Sequence, residues 1–261
     1  MDLDLSGKHA LVCGASEGIG RAAARELALL GADVTLLARR ADALEAVLAE
    51  LPQRDGQQHG FVSADALETE RLRAQVQALA AGKPVHILVN NTGGPPGGPL
   101  SSTASEPFER TFRQHLLANQ ALVQAVLPGM QAARWGRIVN VISTSVKEPI
   151  AGLGVSNTIR GAVASWSKTL ATELGGHGIT VNNVLPGYTR TQRLDQILRD
   201  RAQATGQTED KIAQGMLATV PAGRFAEASE LGAVIAFLCS PAAGYVNGIN
   251  VPVDGGRTKS L

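Results

Sequence analysis

The residues of this sequence that are best suited to chemistry begin with a glycine cluster near the amino terminus. Residues 14–20 read Gly-Ala-Ser-Glu-Gly-Ile-Gly, directly after a short branched apolar run and at the start of a segment with helical spacing. Glycine allows a tight turn and a close approach of backbone to ligand, and a helix amino end offers free N–H groups and a positive dipole to phosphate. We predict a pyrophosphate site at Gly14, Ser16, Glu17, Gly18, Ile19 and Gly20, the alternative being a glycine turn that binds nothing.

The end of the second predicted strand indicates which dinucleotide binds. An acidic residue there would hydrogen-bond a free ribose 2′-hydroxyl, whereas a cation would pair with a 2′-phosphate. The chain reads Ala38-Arg39-Arg40 at this point, and the guanidinium fork matches phosphate geometry. Arg39 and Arg40 therefore favour NADP over NAD, the alternative being that both are solvated charges at the start of a helix.

The elements that must position these residues alternate between strand and helix along the chain. Short branched runs predict strands at 10–13, 34–37, 87–89, 138–142, 180–184 and 249–251, and helical spacing recurs between them, as at 104–133, 157–175 and 228–238. This alternation predicts one α/β domain over residues 1–261, a Rossmann-like, doubly wound parallel sheet with helices on both faces.

Residues 193–223 interrupt this alternation. The segment is long and polar, with Gly206, Gly215 and Pro221 before helical spacing resumes, and it predicts a lid-like insertion. Its apolar residues suit one face of short helices, so we expect them to pack on the body of the domain, with substrate contact as the alternative.

Composition excludes several classes of function. The net charge of +1 gives no electrostatic reason to expect nucleic acid or an anionic membrane as a partner, which favours a small molecule. The amino terminus lacks a basic flank followed by an apolar run, so we expect a cytoplasmic protein. Cys13 and Cys239 lie far apart without metal-ligand spacing, so we expect neither a metal site nor a disulfide framework.

The Gly-x-x-x-Gly-x-Gly spacing at residues 14–20 resembles the short-chain dehydrogenase/reductase family, and the overall pattern is similar to that of its 3-oxoacyl carrier-protein reductases. The resemblance covers nearly the whole chain, through Asn90-Asn91-Thr92-Gly93, Pro186-Gly187 and Val253-Asp254-Gly255-Gly256. The resemblance implies a homodimer or homotetramer. It also implies a cofactor site with Asp65 and Ala66 near the adenine, Asn91 and Gly93 along the cofactor channel, and Arg160 near the nicotinamide ribose. The nicotinamide end would be held by Pro186, Gly187, Thr189 and Thr191.

The catalytic positions keep the spacing of that family but not its side chains. The family has a serine, a tyrosine thirteen residues later, a lysine four residues further on, and an asparagine in the preceding helix. This chain has Ser143, Ser156 and Arg160 at the first three positions. It has His115 at the asparagine position, with Asn119 one helical turn later as an alternative.

The missing phenol leaves the proton donor open. The serine hydroxyl of Ser156 cannot replace it unaided, and Arg160 could grip the nicotinamide ribose or stabilise an oxyanion but stays protonated. An imidazole titrates near neutrality, which makes His115 a candidate acid. Tyr188 is a second candidate, because the resemblance places its loop over the nicotinamide. For each of these two residues a purely structural role is the alternative.

These observations predict an NADP-dependent oxidoreductase that acts on a carbonyl or alcohol group of a small molecule, with Ser143, His115 or Tyr188 in place of the usual proton donor. Two alternatives stay open: a non-redox enzyme that uses the dinucleotide as a scaffold, and a dinucleotide-binding sensor or scaffold without catalysis. Fold does not choose among them.

The arginine pair gives a first testable prediction. Changing Arg39 and Arg40 to alanine should weaken NADPH binding while leaving NADH binding nearly unchanged, because only NADPH carries the 2′-phosphate that the guanidinium groups would pair with. Titration of both cofactors into parent and variant measures the effect. Equal affinity of the parent for NADPH and NADH would contradict this assignment.

Overall fold

The computed structural model describes residues 1–260 and contains one seven-stranded parallel sheet, in the order β3-β2-β1-β4-β5-β6-β7. Its strands are β1 (His9–Cys13), β2 (Asp33–Ala38), β3 (Gly60–Ser63), β4 (Ile87–Asn90), β5 (Gly136–Val141), β6 (Ile179–Pro186) and β7 (Asn250–Val253). Its helices are α1 (Gly18–Leu29), α2 (Ala41–Glu50), α3 (Thr69–Gly82), α4 (Ser105–Phe112), α5 (Ala118–Ala133), α6 (Gly154–Leu174), α7 (Gln192–Thr205), α8 (Glu209–Leu217) and α9 (Ala228–Cys239). The predicted Rossmann-like α/β fold is confirmed.

Both faces of the sheet are covered by helices, which is why the central strands β1, β4, β5 and β6 are buried along nearly their whole length. Two separate cores result: one packs α1, α2 and α9 on the sheet, and the other packs α3, α5 and α6 on its opposite face. Gly232 lets α9 approach α1 closely, because a Cβ there would lie 2.9 Å from the carbonyl carbon of Ala22. None of the helices within residues 1–260 combines the length and the apolar composition needed to cross a membrane.

Two elements differ in detail from the sequence-based expectation, the first being β3 (Gly60–Ser63), which is not among the six predicted strands. The helical pattern at 104–133 is divided into α4, a π-helical turn at Arg113–Leu117, and α5. A π turn accommodates one additional residue, which apolar spacing alone does not reveal. The segment predicted as an insertion forms α7 and α8, whose Leu194 and Met216 pack with Phe225 in a small cluster.

A ladder of asparagine side chains crosses four neighbouring strands. Asn90 Nδ2 donates to Asn140 Oδ1 at 2.8 Å, Asn140 Nδ2 donates to Asn183 Oδ1 at 3.0 Å, and Asn183 Nδ2 donates to Asn250 Oδ1 at 2.8 Å. These residues are also register partners in the sheet. Asn140 is fully buried and donates to Ser167 Oγ on α6 at 3.2 Å. Because a buried amide without partners is costly, the ladder favours a single register of β4 to β7.

The ladder predicts unequal costs of truncation along it. Asn140→Ala should lower the free energy of unfolding by about 2–4 kcal/mol, because it removes the acceptor of the buried Asn90 Nδ2 and the donor to the buried Asn183 Oδ1. Asn250→Ala should cost about 1 kcal/mol or less, because Asn250 is exposed and water at that edge can replace it as the acceptor for Asn183 Nδ2. Urea denaturation of the two variants measures the difference. Equal losses of free energy of unfolding would show that the central amide contributes no more to stability than the one at the exposed end.

Candidate functional site

A cleft of about 440 Å³ opens at the carboxyl ends of the central strands. Its walls include Cys13 at the end of β1, Asn91 just after β4, Ile142 just after β5 and Pro186 at the end of β6. The strand order reverses between β1 and β4, and open α/β sheets bind ligands at such a switch point.

The glycine turn between β1 and α1 is built with almost no spare space. Gly14 has φ of +59°, and a Cβ there would lie 2.5 Å from the backbone oxygen of Asn91. A Cβ at Gly20 would collide with the carbonyl oxygen of Gly14. The Asn91 side chain supports the turn by donating to the carbonyl oxygens of Cys13 and Gly14, each at 3.4 Å. Only glycine at positions 14 and 20 allows this packing.

The amino terminus of α1 is available to an anion. Glu17 precedes the helix with extended backbone, and its side chain makes no capping hydrogen bond. Gly18 and Ile19, the first residues of the helix, line the cleft. The unpaired N–H groups of a first helical turn and the helix dipole favour negative charge at this place.

Arg39 and Arg40 line the same end of the cleft, together with Ser16 and Glu17. Arg40 Nη2 donates to Glu17 Oε2 at 3.1 Å, with the two side chains 59% and 46% exposed. An ion pair that exposed contributes little to stability, so a phosphate could displace the carboxylate from Arg40 at small cost. No local pattern indicates this pairing, because it depends on the fold.

Most residues that the sequence predicted for the site line this one cleft. They are Gly14, Ser16, Glu17, Gly18, Ile19, Arg39, Arg40, Asp65, Ala66, Asn91, Gly93, Ser143, Ser156, Arg160, Pro186, Gly187, Tyr188, Thr189 and Thr191. Two predicted residues, Gly20 and His115, do not line it. Gly20 instead allows the close packing of the glycine turn between β1 and α1.

Ser143, after β5, and Tyr188, after β6, are hydroxyl-bearing residues that line the cleft on the side of the sheet away from the arginine pair. Ser143 Oγ accepts a hydrogen bond from the backbone N–H of Ser145 at 3.1 Å, which leaves its own proton for donation. The ring of Tyr188 packs edge to face on Phe225, with centroids 6.2 Å apart, and the guanidinium carbon of Arg257 lies 4.7 Å from its centroid. Packing on two sides limits the directions in which the phenol can point.

His115 differs from the expectation that it titrates near neutrality. It lies in the π turn, is 2% exposed, and its Nδ1 is 2.6 Å from Thr92 Oγ1. Burial, with a contribution from the neighbouring Arg160 charge, lowers the pKa of His115 from 6.5 to about 2. The imidazole is therefore neutral at neutral pH, and a role as imidazolium acid conflicts with this environment.

Arg160 is a buried cation that lines the cleft. It is 8% exposed, Nη1 donates to the carbonyl oxygen of Val141 at 2.7 Å, and Nη2 donates to that of Thr92 at 3.5 Å. Burial, and secondarily the charge of Arg193, lowers the pKa of Arg160 to about 10. The guanidinium thus remains charged at neutral pH while buried without a carboxylate among the described hydrogen-bond partners.

Arg193 is a cleft residue that sequence reasoning missed. It lies near the start of α7, lines the cleft, and donates from Nη2 to the carbonyl oxygen of Pro95 at 2.7 Å. The two residues are 98 positions apart, so no local pattern could indicate the contact. The predicted insertion and the glycine-proline loop at 93–99 therefore meet at the mouth of the cleft.

Other reactive side chains give little alternative chemistry. Cys13 lines the cleft, but burial raises the pKa of its thiol to about 12, which keeps it protonated. Across residues 1–260, no group of three or more His, Cys, Asp or Glu side chains is arranged to hold a metal ion.

The fold and the cleft define an α/β protein of the Rossmann type whose cleft opens at the switch point of its sheet. Residues 14–258 match the family model described as enoyl-(acyl carrier protein) reductase. The chain is 34% identical to the 3-oxoacyl-(acyl-carrier-protein) reductase of Pseudomonas aeruginosa over 262 residues, covering 99% of this chain and 100% of the relative. It is 31% identical to the gluconate 5-dehydrogenase of Gluconobacter oxydans, covering 98% and 97%.

Solved structures agree with these matches. The L-sorbose reductase of Gluconobacter frateurii, solved with NADPH and L-sorbose, superposes with a TM-score of 0.93 at 31% identity over 100% of both chains. A protein described as belonging to the short-chain dehydrogenase/reductase family superposes with a TM-score of 0.81 at 33% identity, covering 98% of this chain and 99% of the other. The chain belongs to the short-chain dehydrogenase/reductase family.

The environment of His115 makes a prediction about acid stability. With a pKa of about 2 in the folded protein and near 6.5 when unfolded, the unfolded chain binds an additional proton below pH 6.5. The stability associated with neutral His115 is complete above about pH 6.5 and is lost progressively as pH falls toward 2. Between pH 7 and pH 5 the free energy of unfolding of the parent should therefore fall by about 2 kcal/mol more than that of His115→Asn.

Denaturant titrations at the two pH values measure this difference. His177→Asn, an exchange at an exposed histidine, is the matched control and should keep the pH dependence of the parent. Identical pH dependence of the parent and His115→Asn would mean that His115 is not held neutral.

Proposed function

We propose that the protein is an NADP(H)-dependent oxidoreductase that reduces a carbonyl group, or oxidises the corresponding alcohol, in a small molecule. One observation carries this proposal: a single cleft joins Arg39 and Arg40, the uncapped start of α1, and the hydroxyl groups of Ser143 and Tyr188. Phosphate-binding groups at one end and proton-donating groups at the other are what a bound dinucleotide and a substrate require.

The residues present suit NADP(H) along the length of the cleft. Arg39 and Arg40 would hold the 2′-phosphate, and the N–H groups at Gly18 and Ile19 would receive the pyrophosphate. Residues 186–191 would hold the nicotinamide end, as the family resemblance implies. The L-sorbose reductase solved with NADPH supports this choice of cofactor.

NADPH held by Arg39, Arg40 and the start of α1 would supply a hydride for a carbonyl carbon, and the protein would have to provide a proton for the carbonyl oxygen. Ser143 is suited to hydrogen-bond that oxygen, because its hydroxyl accepts from Ser145 N–H and retains its proton. Tyr188 is suited to deliver the proton, because a phenol releases it more readily than the aliphatic hydroxyl of Ser156. This assignment gives the protein a proton donor on the loop after β6 instead of on α6.

His115 takes a different role in this proposal. A neutral imidazole hydrogen-bonded to Thr92 positions the strand end after β4, beside Arg160, and supplies no proton at neutral pH. Its contribution is to the shape and charge of the site, so the conservative exchange His115→Asn should be tolerated better than loss of the phenol.

A second candidate function is dinucleotide binding without turnover, as in a sensor or scaffold. The observation that favours it is the pair Ser156 and Arg160 on α6. The aliphatic hydroxyl of Ser156 is a poor proton donor, and Arg160, with a pKa of about 10, keeps its proton near neutrality. If Tyr188 does not reach the substrate, the cleft binds cofactor and does no chemistry.

Turnover of NADPH separates the two functions. The purified protein, first shown to bind NADPH, is mixed with a panel of ketones and aldehydes that includes neutral and acidic compounds, and absorbance at the nicotinamide band is followed. Oxidation that depends on a carbonyl compound supports the reductase. Binding of NADPH with no turnover on any member would favour the sensor.

Variants at the two titratable positions test the donor. With an active substrate, Tyr188→Phe should lower kcat at least 100-fold, the usual range for loss of a general acid being about 10²–10⁴. His115→Asn should lower it less than tenfold. A larger loss in His115→Asn than in Tyr188→Phe, with both variants folded and binding NADPH, would reverse the assignment.

We also propose that the protein assembles into a homo-oligomer. Phe112, just before the π turn, and Leu117, its last residue, are each 38% exposed, and Tyr245 is fully exposed. Large apolar side chains at the surface are a feature of association sites.

A cytoplasmic location stays a prediction.

A further inference from the structure

Arg160 stands at the position of the family's lysine, and its charge is buried without a negatively charged partner. Its two hydrogen-bond acceptors are neutral backbone carbonyls, those of Val141 and Thr92. The salt bridges formed within residues 1–260 do not include it. A buried charge without a counter-ion is costly, and the usual compensation is an anion.

A second guanidinium lies close to the first. At Gly94, the place that a Cβ would take is 3.7 Å from Arg193 Nη2 and 3.9 Å from Arg160 Nη2. Two cations therefore approach the same point on the wall of the cleft, one from α6 and one from α7. The charge of Arg193 also lowers the pKa of Arg160, as expected for like charges at short range.

The surroundings of the two arginines supply no negative charge. Among the described residues that line the cleft, the acidic ones are Glu17 and Asp65, at the end that contains Arg39 and Arg40. The end near Arg160 and Arg193 is lined by hydroxyl, amide and backbone groups and by Leu153, Leu194 and Ile197. An anion with a short apolar body would complement both the charge and the apolar wall.

We propose that Arg160 and Arg193 form a subsite for a carboxylate of the substrate, so that the protein acts on a small oxo acid or the corresponding hydroxy acid. This rests on the proposed function for the chemistry, but the carboxylate subsite itself follows from the arrangement of the two arginines. The two planar guanidinium groups retain N–H donors beyond those already bonded to backbone, and such forks match a carboxylate well.

The subsite also explains why arginine at position 160 is useful. A guanidinium offers five N–H donors, of which two are directed at Val141 and Thr92. The backbone bonds fix the plane of the group, and the remaining donors are free for a ligand. A lysine would carry the same charge without a fixed plane.

Binding to the NADP⁺-saturated protein tests the subsite without turnover, because NADP⁺ cannot reduce an oxo acid. Calorimetric titrations compare acetoacetate, 2-oxobutanoate and 4-oxopentanoate with their methyl esters, which keep the ketone and remove the charge. We expect at least one acid to bind ten or more times tighter than its ester, as suits a charge-assisted contact. If all three acids bind no tighter than their esters, the proposal is overturned.

Two substitutions and a matched control locate the effect. Arg193→Gln should weaken the tightest acid at least tenfold with little change in the ester, and Arg160→Met should do the same if it folds. Arg199→Gln changes an exposed arginine of the same helix that does not line the cleft, and it should keep the affinity of the parent. Equal affinities of Arg193→Gln and Arg199→Gln for the acid would overturn the proposal.

These titrations, combined with the NADPH turnover assay, separate this proposal from the proposed function. Discrimination between acid and ester that depends on Arg193, in a protein that turns over no carbonyl compound, would support the carboxylate subsite and contradict the oxidoreductase. Reduction of neutral ketones only, with no preference for acids in binding, would support the oxidoreductase and contradict the subsite.

Discussion

The parallel register of β4, β5 and β6 is the constraint on which the site depends. It brings Asn91, Ile142 and Pro186 to one edge of the sheet, although they lie far apart in the chain. The buried amide of Asn140 contributes to that register by bonding to asparagines on both sides. A shift of one residue between two strands would turn these amides toward the opposite face and separate the groups at the strand ends.

Charge is distributed unevenly along the cleft, and this distribution gives each end a different partner. Arg40 is paired with Glu17 at an exposed position, where the pair can exchange for a phosphate at small cost. Arg160 is buried at the other end and has only carbonyl oxygens as described partners. A cation in that position is held by the fold at an energetic cost, which a ligand of opposite charge would offset.

Local patterns were sufficient to predict some features and insufficient for others. The glycine turn and Arg39-Arg40 could be predicted because a tight turn, a helix start and a strand end are local in sequence. The low pKa of His115 could not, because it results from burial and from Arg160 on another helix. The contact of Arg193 with Pro95 and the asparagine ladder also require the folded sheet. The π turn could not be predicted from the sequence pattern, because the apolar spacing continues on both sides of it.

The π turn at Arg113–Leu117 has a consequence for the packing of the helices on either side of it. One surplus residue in a helix advances the rest by about 100°, yet the turn confines that change to five residues, so α4 and α5 each keep their own packing faces. His115 lies inside the turn and is buried against Thr92. The surplus residue is thereby accommodated beside the cleft, while the helices on either side keep the faces with which they pack on the domain.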